Sequence, residues 1–523
     1  MTNTKRVFGN HCVNDLLEDI QNRFWNLKYL KYVTNILCSF FICVGIKWLT
    51  DYDSEIYQAY KDAALAKAIM AFLALLFIVR KVKPLNLSSL VATVIVAIGG
   101  HYYIQEMINS PDVLLSRKPW IVNAWLIVII LIDAFRYHKF EQIKINKPLA
   151  VMLFWGTTFW MLKNSNGSSE GTVMLVVFGL LFTTPLTHME WQNLVKRLCD
   201  GWFCVSVWLI AKSLIYYYPY ETERFYGCFL NIGPFGIFLL CSMIVSVYGI
   251  YYLLGQTDSV ENGKMEHLLR HFMLFVNLFW LGLILMVFVM TRTLTMFIGM
   301  LFVVIALFFF GRKKTDKKHL LIRFGILLGI IAVSVGIVIY IIHNVQDLMV
   351  QWKGLLEKYP NNPIIYFIYR LVRAINLGTD ANFLESTGLS PFWGVLDTFS
   401  SYRVYIWKHF MEAFNFFGNP SGGFEIQYYD YFAMNAHCEY IQTIYRFGYI
   451  GGFMNITLFV YGAICSVRQY MKTKEITWLF TFMWLFGMFG AWTGEVSSII
   501  YPVTFTGLFL LYPVITRPKK DES

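Results

Sequence analysis

Charge is scarce in this sequence, and long polar stretches are scarcer still. Only 15% of the 523 residues are charged, whereas 57% are hydrophobic. Several apolar runs exceed the ~18 residues that are needed to cross the hydrocarbon of a bilayer. Regular alternation of apolar and polar residues is missing, which argues against an outer-membrane barrel. We therefore expect an all-α polytopic membrane protein.

Several familiar signals are also missing. Residues 1–29 are polar and mixed in charge, with no apolar segment before a small-residue cleavage site, so the first span is expected to stay as an anchor. The nine cysteines form no CxxC pair, which argues against a zinc site or a redox motif. No internal repeat or low-complexity tract is visible. The net charge of +11 comes from Lys and Arg collected in short loops, so no nucleic-acid partner is expected.

Apolar runs predict about fourteen transmembrane helices of roughly 20 residues each. They are expected near 30–49, 63–80, 85–105, 119–135, 148–163, 172–187, 198–217, 233–254, 269–290, 293–311, 321–343, 444–466, 476–492 and 497–515. The first eleven spans occupy 30–343 and the last three occupy 444–515. Between them lies a large extracytoplasmic loop, 344–443. Residues 1–29 and 516–523 are expected in the cytoplasm.

The orientation of the chain follows from its loops. Basic segments fall on one side of the predicted topology, which the positive-inside rule identifies as the cytoplasm. These segments are 80–83, 136–147, 312–318, 468–474 and 517–520. The acidic loop 51–62 falls on the other side, together with the long loop 344–443. Both termini are therefore predicted to be cytoplasmic.

The loop 344–443 is far longer than a typical connection, so we expect it to be functional and partly helical. Within it, residues 363–376 (PIIYFIYRLVRAIN) place apolar side chains largely on one helical stripe. Two interpretations stay open. The helix could lie in the membrane interface, or it could pack on the external face of the protein itself.

Arginines on the predicted external side are candidates for binding an anion. Arg292 has apolar residues on both sides and almost no loop, so its guanidinium must be satisfied by protein, water or an anionic ligand. Arg224 and Arg403 lie in external loops, where the ordinary alternative is an arginine reaching for the interface. Guanidinium groups match phosphate in a bidentate manner, so a convergence of these three side chains would suit the diphosphate of a polyprenyl carrier.

His437 lies where the long loop meets a helix start, and a neutral imidazole can act as a general base. The alternative is an ordinary loop histidine. Glu439 could orient the imidazole or could be a solvated carboxylate.

Cys228 and Cys438 each neighbour one of the candidate residues, and free thiols are expected because spacing alone fixes no disulfide.

Four blocks in the second half of the chain resemble motifs of the bacterial O-antigen ligase and polymerase family. Residues 437–452 (HCEYIQTIYRFGYIGG) are similar to its H-N-x-Y-L-Q…G-x-x-G motif, with Cys438 in place of the Asn. Residues 224–231 resemble its R-x-x-G…N segment, and Thr291-Arg292 resembles its T-x-S-R turn without the serine. Residues 403–423 resemble an R-x-x-x-W helix that leads into a Pro/Gly turn. The matching positions there are Arg403, Trp407, Pro420 and Gly423.

The resemblance implies an inverting glycosyl transfer that needs no metal and no cofactor. It takes place at the extracytoplasmic face of the inner (cytoplasmic) membrane. His437 would remove the proton of an acceptor hydroxyl, with Glu439 as a second catalytic candidate, and the hydroxyl would attack a glycan on undecaprenyl diphosphate. Arg224 and Arg292 would hold the diphosphate, with Arg403 in support. The implied partners are the lipid-linked donor, a glycan or lipid-glycan acceptor and membrane lipid, in lipopolysaccharide and cell-envelope biosynthesis.

Rival interpretations remain. Asp51 and Asp53, just outside the first span, could bind a divalent cation as in metal-dependent membrane glycosyltransferases. About fourteen spans also fit a flippase that transports lipid-linked glycans, although the missing internal repeat speaks against it. Ligase, polymerase and protein O-oligosaccharyltransferase differ in the acceptor, and residue chemistry does not separate them because all three need the same base and diphosphate clamp.

Overall fold

Helices make up nearly all of the described chain. The computed structural model describes residues 29–47, 186–217, 225–229, 232–255, 264–291, 293–311, 343–360, 362–378, 380–400, 403–419, 424–426, 431–433, 436–494 and 501–516, with isolated positions in 16–27 and 322–341. The helices are α1 Leu30–Lys47, α2 His188–Tyr216, α3 Ile232–Gly255, α4 Lys264–Thr291, α5 Leu294–Phe310, α6 Val345–Lys358, α7 Pro363–Gly378, α8 Ala381–Thr387, α9 Pro391–Phe399, α10 Arg403–Glu412, α11 Glu439–Thr473, α12 Ile476–Ala491 and α13 Tyr501–Thr516. Strands β1 Phe424–Ile426 and β2 Tyr431–Ala433 pair antiparallel.

The expectation of a helical, membrane-embedded protein is confirmed at the level of helix length and composition. Helices α2, α3, α11 and most of α4 are long and apolar enough to cross a membrane. Helices α5 and α12 are apolar but shorter. Observed and predicted bounds differ most at α2, which begins at His188 rather than at 198. Residues 48–185, which hold nearly all of five predicted spans, lie outside the described residues, and the count of fourteen stays a prediction.

The chain divides into two compact units, of which the first holds residues 1–209 and 500–523. There, Gly201 of α2 lets α1 approach closely, because a Cβ at this position would lie 2.8 Å from the Cβ of Cys38. The Leu186 N–H donates a hydrogen bond to the Tyr512 hydroxyl at 2.8 Å. Small residues and satisfied polar groups are the usual means of joining helices in lipid.

The second unit holds residues 210–499 and is built around helices α3, α4, α5 and α12. Glycines let α5 and α12 approach, since a Cβ on Gly490 would lie 3.0 Å from the Cα of Gly299. A Cβ on Gly487 would meet Val303, so α5 and α12 run antiparallel. The N-terminal end of α5 and the C-terminal end of α12 therefore lie at the same end of the helix pair.

Helix α7 corresponds to the amphipathic segment predicted at 363–376. Val372 and Ile375 are buried in a cluster with Ile341, and residues of α6 and α9 pack around them. The close approach of α9 needs Gly378, whose Cβ would overlap the backbone of Val395. Of the two interpretations, the structure therefore supports a helix packed on the protein itself, although Ile364 at its start stays 68% exposed.

Helix α11 is broken and folds back on itself at Gly448. This glycine has φ 72° and ψ 179°, which is outside the helical region and accessible mainly to glycine. The rings of Tyr440 and Phe459 lie 5.5 and 4.7 Å from the ring of Trp492, so they are within about 10 Å of each other. A straight helix would separate these two residues by ~28 Å. The segment 439–447 therefore runs back along the following segment, and the span predicted at 444–466 crosses the break.

Candidate functional site

Candidate catalytic residue His437 occupies a tight turn before α11. Its φ is 47°, in the left-handed region that non-glycine residues seldom adopt. Ala436, which precedes the turn, is fixed at both of its backbone groups, because its N–H donates to Gln442 Oε1 at 2.7 Å and its carbonyl accepts from Trp407 Nε1 at 2.8 Å. A strained conformation held from several directions is typical of functional sites.

The other side of the turn is held by the end of α12. The Glu439 N–H donates to the carbonyls of Trp492 and Gly494, each at 2.9 Å. The Glu439 side chain is only 5% exposed, and its Oε1 accepts from the Thr443 hydroxyl at 3.1 Å. The solvated-carboxylate interpretation is therefore wrong, because this carboxylate is buried against its own helix.

Arg403 begins α10, and this helix packs directly on the His437 turn. Trp407, one helical turn after Arg403, donates its indole N–H to the Ala436 carbonyl beside His437 at 2.8 Å. Phe410 of α10 meets Tyr445 of α11 edge to face, with ring centroids 4.8 Å apart. The structure thus packs the helix that begins at Arg403 against the turn that holds His437.

The first turn of α10 is capped by Asp397, which lies six residues before the helix begins. This side chain is fully buried, and its Oδ1 accepts from the Tyr405 N–H at 2.7 Å. Its Oδ2 has no hydrogen-bond partner within the described residues. Burial raises the pKa of the Asp397 carboxyl to about 6, although backbone N–H groups of Tyr405 and Val404 oppose the rise. Sequence analysis did not select Asp397, because no local motif connects it to a helix that starts six residues later.

Arg224 and Arg292 lie outside the described residues, but the positions that flank them are brought together. The Phe225 N–H donates to the Met290 carbonyl at 3.2 Å. The turn around Arg292 is closed by a hydrogen bond of 2.8 Å between the hydroxyls of Thr291 and Thr293. The two blocks that were singled out separately in the sequence therefore meet in the fold.

The directions of the helices place the His437 turn at the same end of the second unit as these two blocks. Gly236 of α3 lies against Met296 of α5, and Leu240 lies against Gly299, so these helices run parallel with their N-terminal ends together. The C-terminal end of α12 lies at this same end, and it leads directly to Trp492, which binds Glu439. All four sequence blocks therefore approach one end of the helices of the second unit.

Cys228 and Cys438 are not joined in a disulfide, as expected. The Cys228 N–H donates to the Ser213 hydroxyl at 3.1 Å, and Cys438 Sγ contacts the Trp492 carbonyl at 3.6 Å. Among the residues with described positions, no three His, Cys, Asp or Glu side chains gather closely enough to hold a metal ion. Asp51 and Asp53, the rival metal site, lie outside those residues.

Comparison of the sequence with models of protein families and with curated proteins gives no match. The features that bear on function are therefore the motif blocks and their convergence.

Proposed function

We propose that this protein is a polytopic glycosyltransferase of the O-antigen ligase and polymerase type. It would transfer a glycan from undecaprenyl diphosphate to an acceptor hydroxyl, in surface polysaccharide biosynthesis. The observation that carries the proposal is the convergence of four separate blocks at one end of the helices. A chance scatter of arginines and one histidine over half of the chain would not require their flanking segments to meet.

In the proposed reaction, His437 accepts the proton of the acceptor hydroxyl. The acceptor oxygen then attacks the anomeric carbon, and the bond between that carbon and the diphosphate oxygen breaks, so the configuration inverts and undecaprenyl diphosphate leaves. Arg224 and Arg292 stabilise the negative charge that grows on the leaving group, and Arg403 supports them. The chain's own residues supply both the base and the anion clamp.

The rigidity of the His437 turn suits this role. A general base must be held within hydrogen-bond reach of the proton that it removes. Ala436 and Glu439 on either side of His437 are tied to Trp407, Gln442 and the end of α12. The Glu439 N–H, which donates to the end of α12, holds the backbone of the turn that carries the imidazole.

The proposed location is the inner membrane of a bacterium, with the site on the extracytoplasmic side. The basic segment 468–474 follows the apolar part of α11, and the positive-inside rule places that end in the cytoplasm. The His437 turn lies at the opposite end of α12, because Lys474 precedes α12 and Trp492 follows it. A lipid-linked glycan on the outer leaflet would reach such a site.

The test is complementation of a deletion strain with wild type, His437→Ala or the control His409→Ala, at matched membrane levels. His409 is a half-buried histidine of α10, with Nδ1 lying 3.6 Å from a Glu412 carboxylate oxygen. We expect His437→Ala to behave like the empty vector when surface polysaccharide is separated on a gel, with lipid-linked glycan accumulating. His409→Ala should restore the polysaccharide.

The species that accumulates distinguishes the possible acceptors. Single repeats indicate a polymerase, finished chains indicate a ligase, and loss of glycosylated protein alone indicates a protein O-oligosaccharyltransferase. Wild-type polysaccharide from the His437→Ala strain would contradict the proposal and favour a flippase.

A further inference from the structure

A turn of the long loop is docked onto the break in α11 and carries two exposed aromatic side chains. Phe416 and Phe417 are 56% and 69% exposed, and their rings meet edge to face at 5.3 Å. Beside them on α11, Tyr449, Ile450 and Phe453 are also exposed. We call these five residues the aromatic apex.

The apex has a fixed position, because the turn satisfies backbone groups that the break leaves open. The Asn419 N–H donates to the Tyr445 carbonyl at 2.8 Å, on one side of Gly448. On the other side, the Tyr449 N–H donates to the Asn415 carbonyl at 3.2 Å. A broken helix exposes N–H and C=O groups of this kind, and leaving them unpaired is costly.

The turn is also rigid within itself. Asn415 Oδ1 accepts from the backbone N–H groups of Phe417 and Gly418, at 3.0 and 2.5 Å. Gly418 and Gly448 are in backbone contact, and a Cβ on either glycine would overlap the other segment. Phe416 and Phe417 are therefore held outward at a defined point relative to α11.

The exposed face of α11 indicates what surrounds this point. From the apex onward, the exposed positions recur at helical spacing and carry no charge until Arg468. They are Tyr449, Ile450, Phe453, Thr457, Tyr461 and Ile464. Tyr449 and Arg468 are 19 residues apart, which is ~28 Å along a helix and close to the ~30 Å thickness of bilayer hydrocarbon. The apex therefore lies about one hydrocarbon thickness from the basic end of the helix.

We propose that the aromatic apex is a membrane-interface anchor, which inserts Phe416 and Phe417 into bilayer lipid at the boundary opposite Arg468. Aromatic side chains are favoured at such boundaries, and the apolar face of α11 continues directly into the apex. Asn419, through Tyr445, connects the anchor to the segment that carries the His437 turn, so lipid contact would set the position of this turn relative to the membrane surface. This inference does not depend on the proposed enzymatic activity.

The test is photo-crosslinking of the full-length protein in phosphatidylcholine proteoliposomes. p-Benzoylphenylalanine is placed at Phe417, at Tyr461 as the lipid-facing control, or at Glu412, an exposed polar position before the turn. We expect lipid adducts at positions 417 and 461, with roughly tenfold less adduct at 412, since water rather than acyl chains surrounds a charged interfacial position.

Two results would overturn the anchor. One is labelling of lipid at 461 without labelling at 417, and the other is a crosslink from 417 to a second copy of the chain. Because the substitution at Phe417 could disturb folding, the same label is placed at Phe416, and only variants that match wild type in size-exclusion elution are compared. Failure of the glycosyltransferase proposal would leave these crosslinks unchanged.

Discussion

His437 has a left-handed backbone conformation that costs an ordinary residue ~1 kcal/mol or more. The hydrogen bonds of Ala436 on one side and Glu439 on the other offset this cost. The turn therefore holds His437 in one backbone conformation, which is what a general base in the proposed reaction requires.

Asp397 should make stability depend on pH. Its folded-state pKa, about 6, is higher than the ordinary value of 3.8, so the folded protein binds the proton more tightly than the unfolded chain does. The resulting stabilisation is complete below the ordinary value and is lost as pH rises through 6. Asp397→Asn imitates the protonated form and should be more stable than wild type at pH 8, by about 3 kcal/mol, and the difference should shrink to less than ~1 kcal/mol near pH 4.

The measurement is the melting temperature of both proteins in detergent across this pH range. Other carboxylates titrate in both proteins, so the difference between the two curves is the quantity that reports on Asp397. Parallel curves from pH 4 to 8 would show that the carboxyl is not responsible.

Gly448→Ala should destabilise the second unit by at least ~2 kcal/mol, because alanine is strained at a left-handed φ and its Cβ would overlap the Phe416 carbonyl. Gly282→Ala is the matched control, since a Cβ at that helical position meets nothing within 4 Å. The control should be neutral or slightly stabilising, by less than ~1 kcal/mol. The melting temperatures of both variants are measured, and equal values would contradict the helix break at Gly448.

At the scale of elements, α10 and the start of α11 act as one piece. Trp407 reaches from α10 to the carbonyl of Ala436, and Phe410 and Tyr445 fill the space between the helices. The predicted R-x-x-x-W spacing places Arg403 and Trp407 on one helical face, four residues apart. The helix that begins at Arg403 is therefore coupled to the turn through the Trp407 hydrogen bond and the Phe410–Tyr445 contact.

Trp407→Phe should lower glycosyl transfer far more than it lowers stability. Loss of a single hydrogen bond changes the free energy of unfolding by only ~1 kcal/mol, whereas a misplaced general base can cost on the order of a hundredfold in rate. Trp393→Phe, at a 47% exposed tryptophan of α9, is the control. Polysaccharide yield and melting temperature are measured together, and a variant with unchanged yield would argue against the positioning role.

The apolar parts of the long helices could be predicted from the sequence, because apolar length defines them, whereas the more polar start of α2 at His188 could not. Predicted and observed bounds of α3, 233–254 and Ile232–Gly255, agree within one residue. The fold-back at Gly448 could not be predicted, since a glycine in an apolar run looks like any other small packing residue. Its left-handed φ depends on Asn415 and Gly418, which lie some thirty residues earlier in the sequence. Tertiary contacts of this kind leave no local pattern.

Segments that are distant in sequence meet at one end of the helices of the second unit. The Phe225–Met290 hydrogen bond and the contact of Glu439 with Trp492 join parts of the chain that are far apart in sequence. The candidate residues could be selected from the sequence because each block carries several residues at fixed spacing. Their meeting could not, since it depends on which helices run parallel.

If Arg224 and Arg292 hold the same diphosphate, their effects on rate should not be independent. Each single alanine variant should lose on the order of a hundredfold in rate. The double variant should lose clearly less than the product of the two, because removing one arginine already disorders the anion that the other binds. The measurement is a double-mutant cycle, in which the initial rates of glycan transfer are compared for wild type, the two single variants and the double variant. Strictly multiplicative losses of rate would indicate two separate sites.

Glycosyl transfer itself is tested most directly with purified protein in nanodiscs and with a lipid extract of the deletion strain that contains both the lipid-linked glycan and the lipid-glycan acceptor. Mass spectrometry follows the release of undecaprenyl diphosphate, with and without EDTA. The account predicts release by wild type, unchanged release in EDTA, and loss of release in His437→Ala. If the lipid-linked donor stays intact with well-folded wild type but crosses the bilayer of proteoliposomes, the protein is a transporter and the account is wrong.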